Sequence, residues 1–293
     1  MHYLNTKEIQ NHIKLYCYYS LNQINRAKDA ILKKSVFCGR MDKYNDIFDG
    51  KFYPNKDNLR NCSNRDNQAL KMIIAWMLEN NVGNASNIFR EINENYEKYE
   101  LCTNAQQVVA QLTTDFGPQY DFAQYFIEIF NRQNRDGANI ACHCFSEVET
   151  SLLMWSYYAS GHTGLCIEYD LRTTEAKEHE AVKNLSKVNY CDRFPVNYAG
   201  GYHFFYKSNE WAHEQEWRLI IDNEVALEEY PYGEYIDFPF ASAIYLGVNF
   251  PKEKKQEMRN LCKEQKIKLY QMQIVPNRYE IEPKEIVLNR QHI

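Results

Sequence analysis

The sequence has no Cys-x-x-Cys pair among its nine cysteines, no excess of basic charge and no apolar run approaching membrane length. Each absence excludes something. An odd set of scattered thiols without paired ligand spacing argues for free cysteines in a reducing cytoplasm rather than for a zinc module. The one dense group, Cys142-His143-Cys144, lies in an apolar stretch that reads as a strand, where alternation puts His143 on the face opposite the two cysteines. No metal is therefore expected. A net charge of -5 argues against a broad electrostatic grip on nucleic acid and leaves room only for a local basic groove. Met1–Asn5 carries no apolar signal core, and no membrane partner is expected. There is no internal repeat, low-complexity tract or disordered linker.

What is present is ordinary globular material, 44% apolar and 25% charged, long enough at 293 residues for one large domain or two small ones. With 23 tyrosines and 15 phenylalanines, much of the core and of any cleft is aromatic. Periodicity predicts a strand at 15–20, an amphipathic helix over 21–34 and a second strand at 35–39, followed by a polar turn over 42–50. From Phe52 to Gly137 the apolar residues recur at helical spacing, most strongly in Lys71–Glu79 and Tyr120–Phe130. Strand character returns at 139–146, 165–169, 188–190, 243–248 and 267–275, with a short helix at 150–159 opened by hydroxyl caps and a charged helix at 252–265. Gly161-His162-Thr163-Gly164 reads as a tight turn, and 223–239 as a loop with hairpin character. The expected architecture is α+β, a mixed sheet divided as 1–55 and 138–293 around a helical insertion at 56–137.

The stretch Lys207–Ile221 concentrates the chemistry. It places a lysine, a histidine, an arginine, two tryptophans and three acids directly before the apolar Leu219-Ile220-Ile221. On an extended backbone Glu214 and Glu216 share one face, with Gln215 and Trp217 on the other. Paired acids at the mouth of a sheet are costly unless they bind something or meet a cation, and Arg218 and Lys207 are the local cations. A salt-bridge cluster at a strand edge satisfies the same pattern.

Several stretches together resemble the bacterial family known as domain of unknown function 2971. They are Tyr16-Cys17-Tyr18-Tyr19-Ser20, Tyr44-Asn45-Asp46-Ile47-Phe48-Asp49, Phe145-Ser146, and Trp155-Ser156-Tyr157-Tyr158-Ala159 with His162 and Gly164. Lys207, Trp211, Glu214, Glu216, Arg218 and Ile244-Tyr245-Leu246-Gly247 complete the pattern. The sequence departs from it at Cys17, where a lysine is usual, and at Ile47, where proline is usual.

The order of these parts is in turn similar to that of ADP-ribosyltransferases, including the DNA-modifying toxin branch. That resemblance implies an ADP-ribosyltransferase-like sheet and NAD as substrate, with ADP-ribose passed to nucleic acid, to protein or to water in a toxin or phage-defence setting. It implies Glu216 as the catalytic acid, Glu214 as the group that orients or deprotonates the nucleophile, and Tyr158 beside them. Tyr18, Ser20, Ser146, Asn45, Trp155 and His162 would contact NAD, and Arg218, Arg40 or Lys207 its pyrophosphate. The residues themselves leave other readings open. Trp155, Tyr158 and Trp211 also fit as packing groups, His162 as a turn stabiliser, and Asn45, Asp46 and Asp49 as turn caps. A nucleotide- or nucleic-acid-binding module without catalysis fits the aromatics and Arg218, and a metal-dependent nuclease would draw on Asp46, Asp49, Glu214 and Glu216. The oligomeric state is not legible.

Overall fold

The structure is a computed structural model that describes residues 14–49, 56–136, 140–192, 202–222 and 233–288. The strands in chain order are β1 (Lys14–Tyr19), β2 (Ser35–Arg40), β3 (Ile140–Ser146), β4 (Leu165–Asp170), β5 (Leu185–Lys187) and β6 (Asn189–Cys191). They continue as β7 (Tyr206–Ser208), β8 (Glu216–Asp222), β9 (Gly233–Asp237), β10 (Ala241–Leu246), β11 (Lys268–Ile274) and β12 (Ile281–Glu285). The chain divides into two compact units, Met1–Lys43 with Asn139–Tyr190 and Asn209–Ile293, and Tyr44–Ala138 with Cys191–Ser208.

The first unit is α+β. Among the described residues ten strands form one sheet in the order β12-β11-β10-β4-β1-β3-β2-β9, with β8 joining β3 and carrying β5. Every pair is antiparallel except β10 with β11, which the helix Lys255–Gln265 connects as a parallel crossover. The sheet forks at β3: its Ser146 end meets Tyr16 of β1, whereas Ala141 and Cys142 meet β2.

Alternation along β1 shows how the two faces are filled. Leu15, Cys17 and Tyr19 enter a core shared with Phe145, Ile167, Trp217, Leu219 and the helices Ile24–Leu32 and Lys255–Gln265. Tyr16 and Tyr18 point the other way, toward Trp155, Cys166 and Tyr245. Helix Ile24–Leu32 buries Ile24, Ala27, Ala30 and Ile31, the three-and-four spacing its sequence prescribes. The glycine turn forms as expected, with Gly161 and His162 both in the left-handed region. A Cβ on Gly164 would stand 2.1 Å from the Tyr19 carbonyl, so only glycine lets this turn close onto β1.

The second unit is mainly helical, with Gln68–Glu79, Ala85–Glu94, Ala105–Phe116 and Phe122–Asp136 as its longer helices. Their apolar stripes meet in one core containing Leu70, Ile73, Met77, Phe122 and Phe126, with Trp76 stacked on Tyr125 at 4.7 Å. The Met and aromatic stripe is core material.

Three local expectations are corrected. Glu214 is not on a strand: it ends the 3-10 turn Asn209–Glu214, and Gln215 has φ +44°, so β8 begins only at Glu216. The shared-face argument for Glu214 and Glu216 therefore fails, although both are buried. Within 223–239, residues 223–232 lie outside the described residues, and Gly233–Asp237 is not loop but an edge strand on β2. Ile267–Val275 does not close the chain's sheet, because β12 adds one more strand beyond it.

Candidate functional site

Registered pairs set a row of polar side chains across the first unit's sheet. Glu168 of β4 stands opposite Tyr16 of β1, Tyr16 opposite Ser146 of β3, and Ser146 opposite Glu216 of β8. Directly paired residues project to the same face, so all four lie on the side that carries Tyr18, Trp155 and Tyr245. Glu168, Ser146 and Glu216 are buried, and each has hydrogen-bond partners.

At one end of the row Glu216 meets Arg218 in a fork, Nε to Oε1 at 2.7 Å and Nη2 to Oε2 at 3.0 Å. The two residues are 3% and 0% exposed. A guanidinium fork fixes a carboxylate's position as well as its charge. Arg218 is thus committed to Glu216 inside the protein, which differs from the accessible cation expected for a pyrophosphate contact. The backbone N–H of Glu216 donates to Tyr190 Oη at 2.9 Å.

Just before the strand, Glu214 accepts from Tyr158 Oη at 2.5 Å through its side chain and from Ser146 Oγ at 2.7 Å through its carbonyl. The irregular backbone at Gln215 turns Glu214 toward the helix Leu152–Tyr157 and its neighbour Tyr158. The expected pair of acids is present, Glu216 with the buried Arg218 and Glu214 with the half-buried Tyr158.

At the other end Glu168 accepts from Lys14 Nζ at 2.9 Å, Ser242 Oγ at 2.7 Å and Tyr245 Oη at 2.7 Å, with Tyr16 Oη at 3.4 Å. Burial works to raise its pKa, but the hydrogen bonds from Tyr245, Lys14 and Ser242, together with the Lys14 charge, outweigh it and hold the carboxyl below its ordinary value. Tyr16 and Tyr245 are pushed well up, burial first and the neighbouring acids after it, so both phenols stay protonated donors.

Between these ends a short turn, residues 147–150, is pinned to the sheet. Tyr18 Oη donates to the Val148 carbonyl at 2.5 Å, and Trp155 Nε1 donates to the Glu149 carbonyl at 2.7 Å. Val148 N–H donates to Ser146 Oγ at 3.2 Å, and Glu147 N–H to the Gln215 carbonyl at 3.1 Å. The Glu147 carboxylate accepts from Trp217 Nε1 and Lys187 Nζ. Tyr18 and the fully buried Trp155 therefore hold backbone, with Trp155 edge-on to Tyr18 at 5.3 Å.

The structure brings Tyr18, Ser146, Trp155, Tyr158, Glu214, Glu216 and Arg218 together and gives Ser20, Arg40, His162, Asn45 and Lys207 other places. Ser20 caps the turn after β1, its backbone N–H and hydroxyl each 3.2 Å from Gln23 Oε1. Arg40 ends β2 opposite Ala141. His162 sits over Trp155 at 6.2 Å, accepts through its carbonyl from Asn249 N–H, and has its pKa lowered by burial. Asn45 and Lys207 belong to the second unit, where Asn45 is exposed and Lys207 faces Asp49 at 3.6 Å. Among the described residues no group of three His, Cys, Asp or Glu side chains is arranged to hold a metal ion. No described helix is long and apolar enough to cross a membrane.

Sequence reasoning missed Glu149, Glu147, Glu168 and Tyr190. The signal for the first two was the short acidic link Glu147-Val148-Glu149 between β3 and the Ser151 cap, where a strand hands over to a helix at a sheet edge.

Residues 154–200 match the model of a family described as a protein of unknown function, DUF2971. The matched segment begins in the helix that carries Trp155, includes Tyr158 and all of β4, and supports the family resemblance there. No curated protein and no solved structure matches the chain.

Proposed function

We infer that the chain is an NAD-consuming enzyme of ADP-ribosyltransferase type, a transferase or an NAD glycohydrolase, with an ADP-ribosyltransferase-like sheet and a role as a toxin or phage-defence effector. The observation that carries this reading is the register Tyr16–Ser146–Glu216, which seats the late acid beside the middle and first strands on one face. Glu214 and Tyr158 stand at the end of the same row.

The chemistry suits that arrangement. Cleaving the bond between ribose C1′ and the nicotinamide nitrogen sends the electron pair to nicotinamide, which leaves neutral, and positive charge develops on the sugar. Carboxylates held rigid in a water-poor site stabilise such charge without having to reorganise. The incoming nucleophile, water or an acceptor hydroxyl or ring nitrogen, forms the new bond to C1′ and loses a proton. Glu214, kept in place by Tyr158, is positioned to take it. Arg218 holds Glu216 in place through two hydrogen bonds.

Purified protein incubated with NAD, with and without DNA, RNA and protein acceptors, is expected to release nicotinamide, read by reversed-phase chromatography. Saturable NAD binding without any nicotinamide would convert the site to a binding module. Absence of both contradicts the reading.

A further inference from the structure

We propose that Glu149 is a further catalytic residue, the carboxylate that meets the substrate's ribosyl group on this face. The assignment rests on the NAD reading above and changes which acid touches the sugar. Glu216 is forked by Arg218, Glu214 is bonded by Tyr158, Glu168 by Lys14, Ser242 and Tyr245, and Glu147 by Lys187 and Trp217. Among the described residues, Glu149 is the acid of this neighbourhood whose carboxylate has no hydrogen bond or ion pair to the protein, and the residue is half-buried with its carboxylate open to solvent.

Its backbone is the opposite of free. The turn that presents it is fixed by a phenol on the preceding carbonyl, an indole on its own carbonyl and a buried serine hydroxyl on the preceding N–H. Two of those donors, Tyr18 and Trp155, are 8% and 0% exposed. Rigid side chains of the sheet and of the adjoining helix thus hold a loop in which Glu147 is paired and Glu149 is left for something else, an arrangement that preorganises a functional group.

The carboxylate also lies beside the polar row. Burial raises the pKa of Tyr16, Tyr18 and Cys166, and the charge of Glu149 adds to that rise at all three. These neighbours remain neutral, so none of them neutralises Glu149. An unpaired carboxylate beside neutral phenols is open to a ligand that brings hydroxyl donors or positive charge and excludes water when it binds. A ribose that takes on positive charge as the nicotinamide leaves brings both.

The test compares Glu149→Gln and Glu149→Ala with the wild-type full chain, using NAD binding by calorimetry, nicotinamide release and thermal unfolding. Because the carboxylate has no protein partner, both variants are expected to melt at the wild-type temperature or slightly above it. Glu149→Gln should bind NAD within a few-fold of wild type while kcat falls about 10²–10³-fold, the loss typical of removing one group that stabilises transition-state charge. Undiminished kcat in both variants overturns the assignment and leaves the NAD reading standing. A marked drop in melting temperature also overturns it, because the carboxylate would then be a structural group. Wild-type protein that neither binds NAD nor releases nicotinamide overturns the NAD reading and this assignment with it.

Discussion

Glu216→Gln lowers the unfolding free energy by about 3–5 kcal/mol, because it leaves the Arg218 guanidinium buried without its counter-charge. Arg218→Met leaves the Glu216 carboxylate in the same position and costs a similar amount. Against a total stability of about 5–15 kcal/mol, either change alone removes a large share of it. The double variant Glu216→Gln with Arg218→Met is expected to cost clearly less than the sum, since neither charge then remains uncompensated. Urea unfolding of the four proteins measures the coupling. Additive losses would mean that the pair is not energetically coupled and that its bidentate geometry has no consequence. The same result bears on activity, because lost turnover in Glu216→Gln cannot be separated from lost folding unless the protein is first shown to be folded.

The second large effect is a loss of stability in mild acid that originates at His143. The ring is 7% exposed, and its Nδ1 donates to the Phe37 carbonyl at 2.9 Å while Nε2 is buried without a hydrogen-bond partner. Burial pushes its pKa down to about 4, the bond to Phe37 opposes this, and the Arg26 charge adds to the lowering. An unfolded histidine titrates near about 6.5, so as pH falls the unfolded chain takes up a proton that the folded chain refuses. The contribution is complete above that value and declines toward pH 4, reaching a loss of about 2 kcal/mol by pH 5. Glu168, also held below its ordinary value, acts in the same direction but only at lower pH, where carboxylates titrate. Urea unfolding of wild type and His143→Gln between pH 7.5 and 5 isolates the effect. The wild-type slope should exceed the variant's by that amount, whatever the variant's starting stability. Parallel slopes would show that His143 is not held neutral.

The two faces of β1 were legible because alternate burial follows directly from strand geometry, and the amphipathic helices were legible for the corresponding reason at their own period. The Glu216–Arg218 contact was legible too, since residues two apart on a strand face the same way. Glu214 was not, because one left-handed residue, Gln215, breaks the alternation, and a glutamine gives no warning of that conformation. β12 was hidden by composition: Ile281-Glu282-Pro283-Lys284-Glu285 reads as surface chain, and an edge strand tolerates proline and charge. Glu149 escaped notice because its significance depends on Tyr18 and Trp155, 131 and 6 positions away in sequence, both bonded to the backbone of its turn. An aromatic residue's polar hydrogen can serve a ligand or a loop, and sequence does not distinguish the two.

A crystal structure of the Glu149→Gln protein with uncleaved NAD tests the account most directly. The nicotinamide ribose should lie within hydrogen-bonding distance of the side chain at position 149, over the row formed by Tyr16, Ser146 and Glu216. NAD seated away from that face, or no NAD bound at saturating concentration, would contradict it.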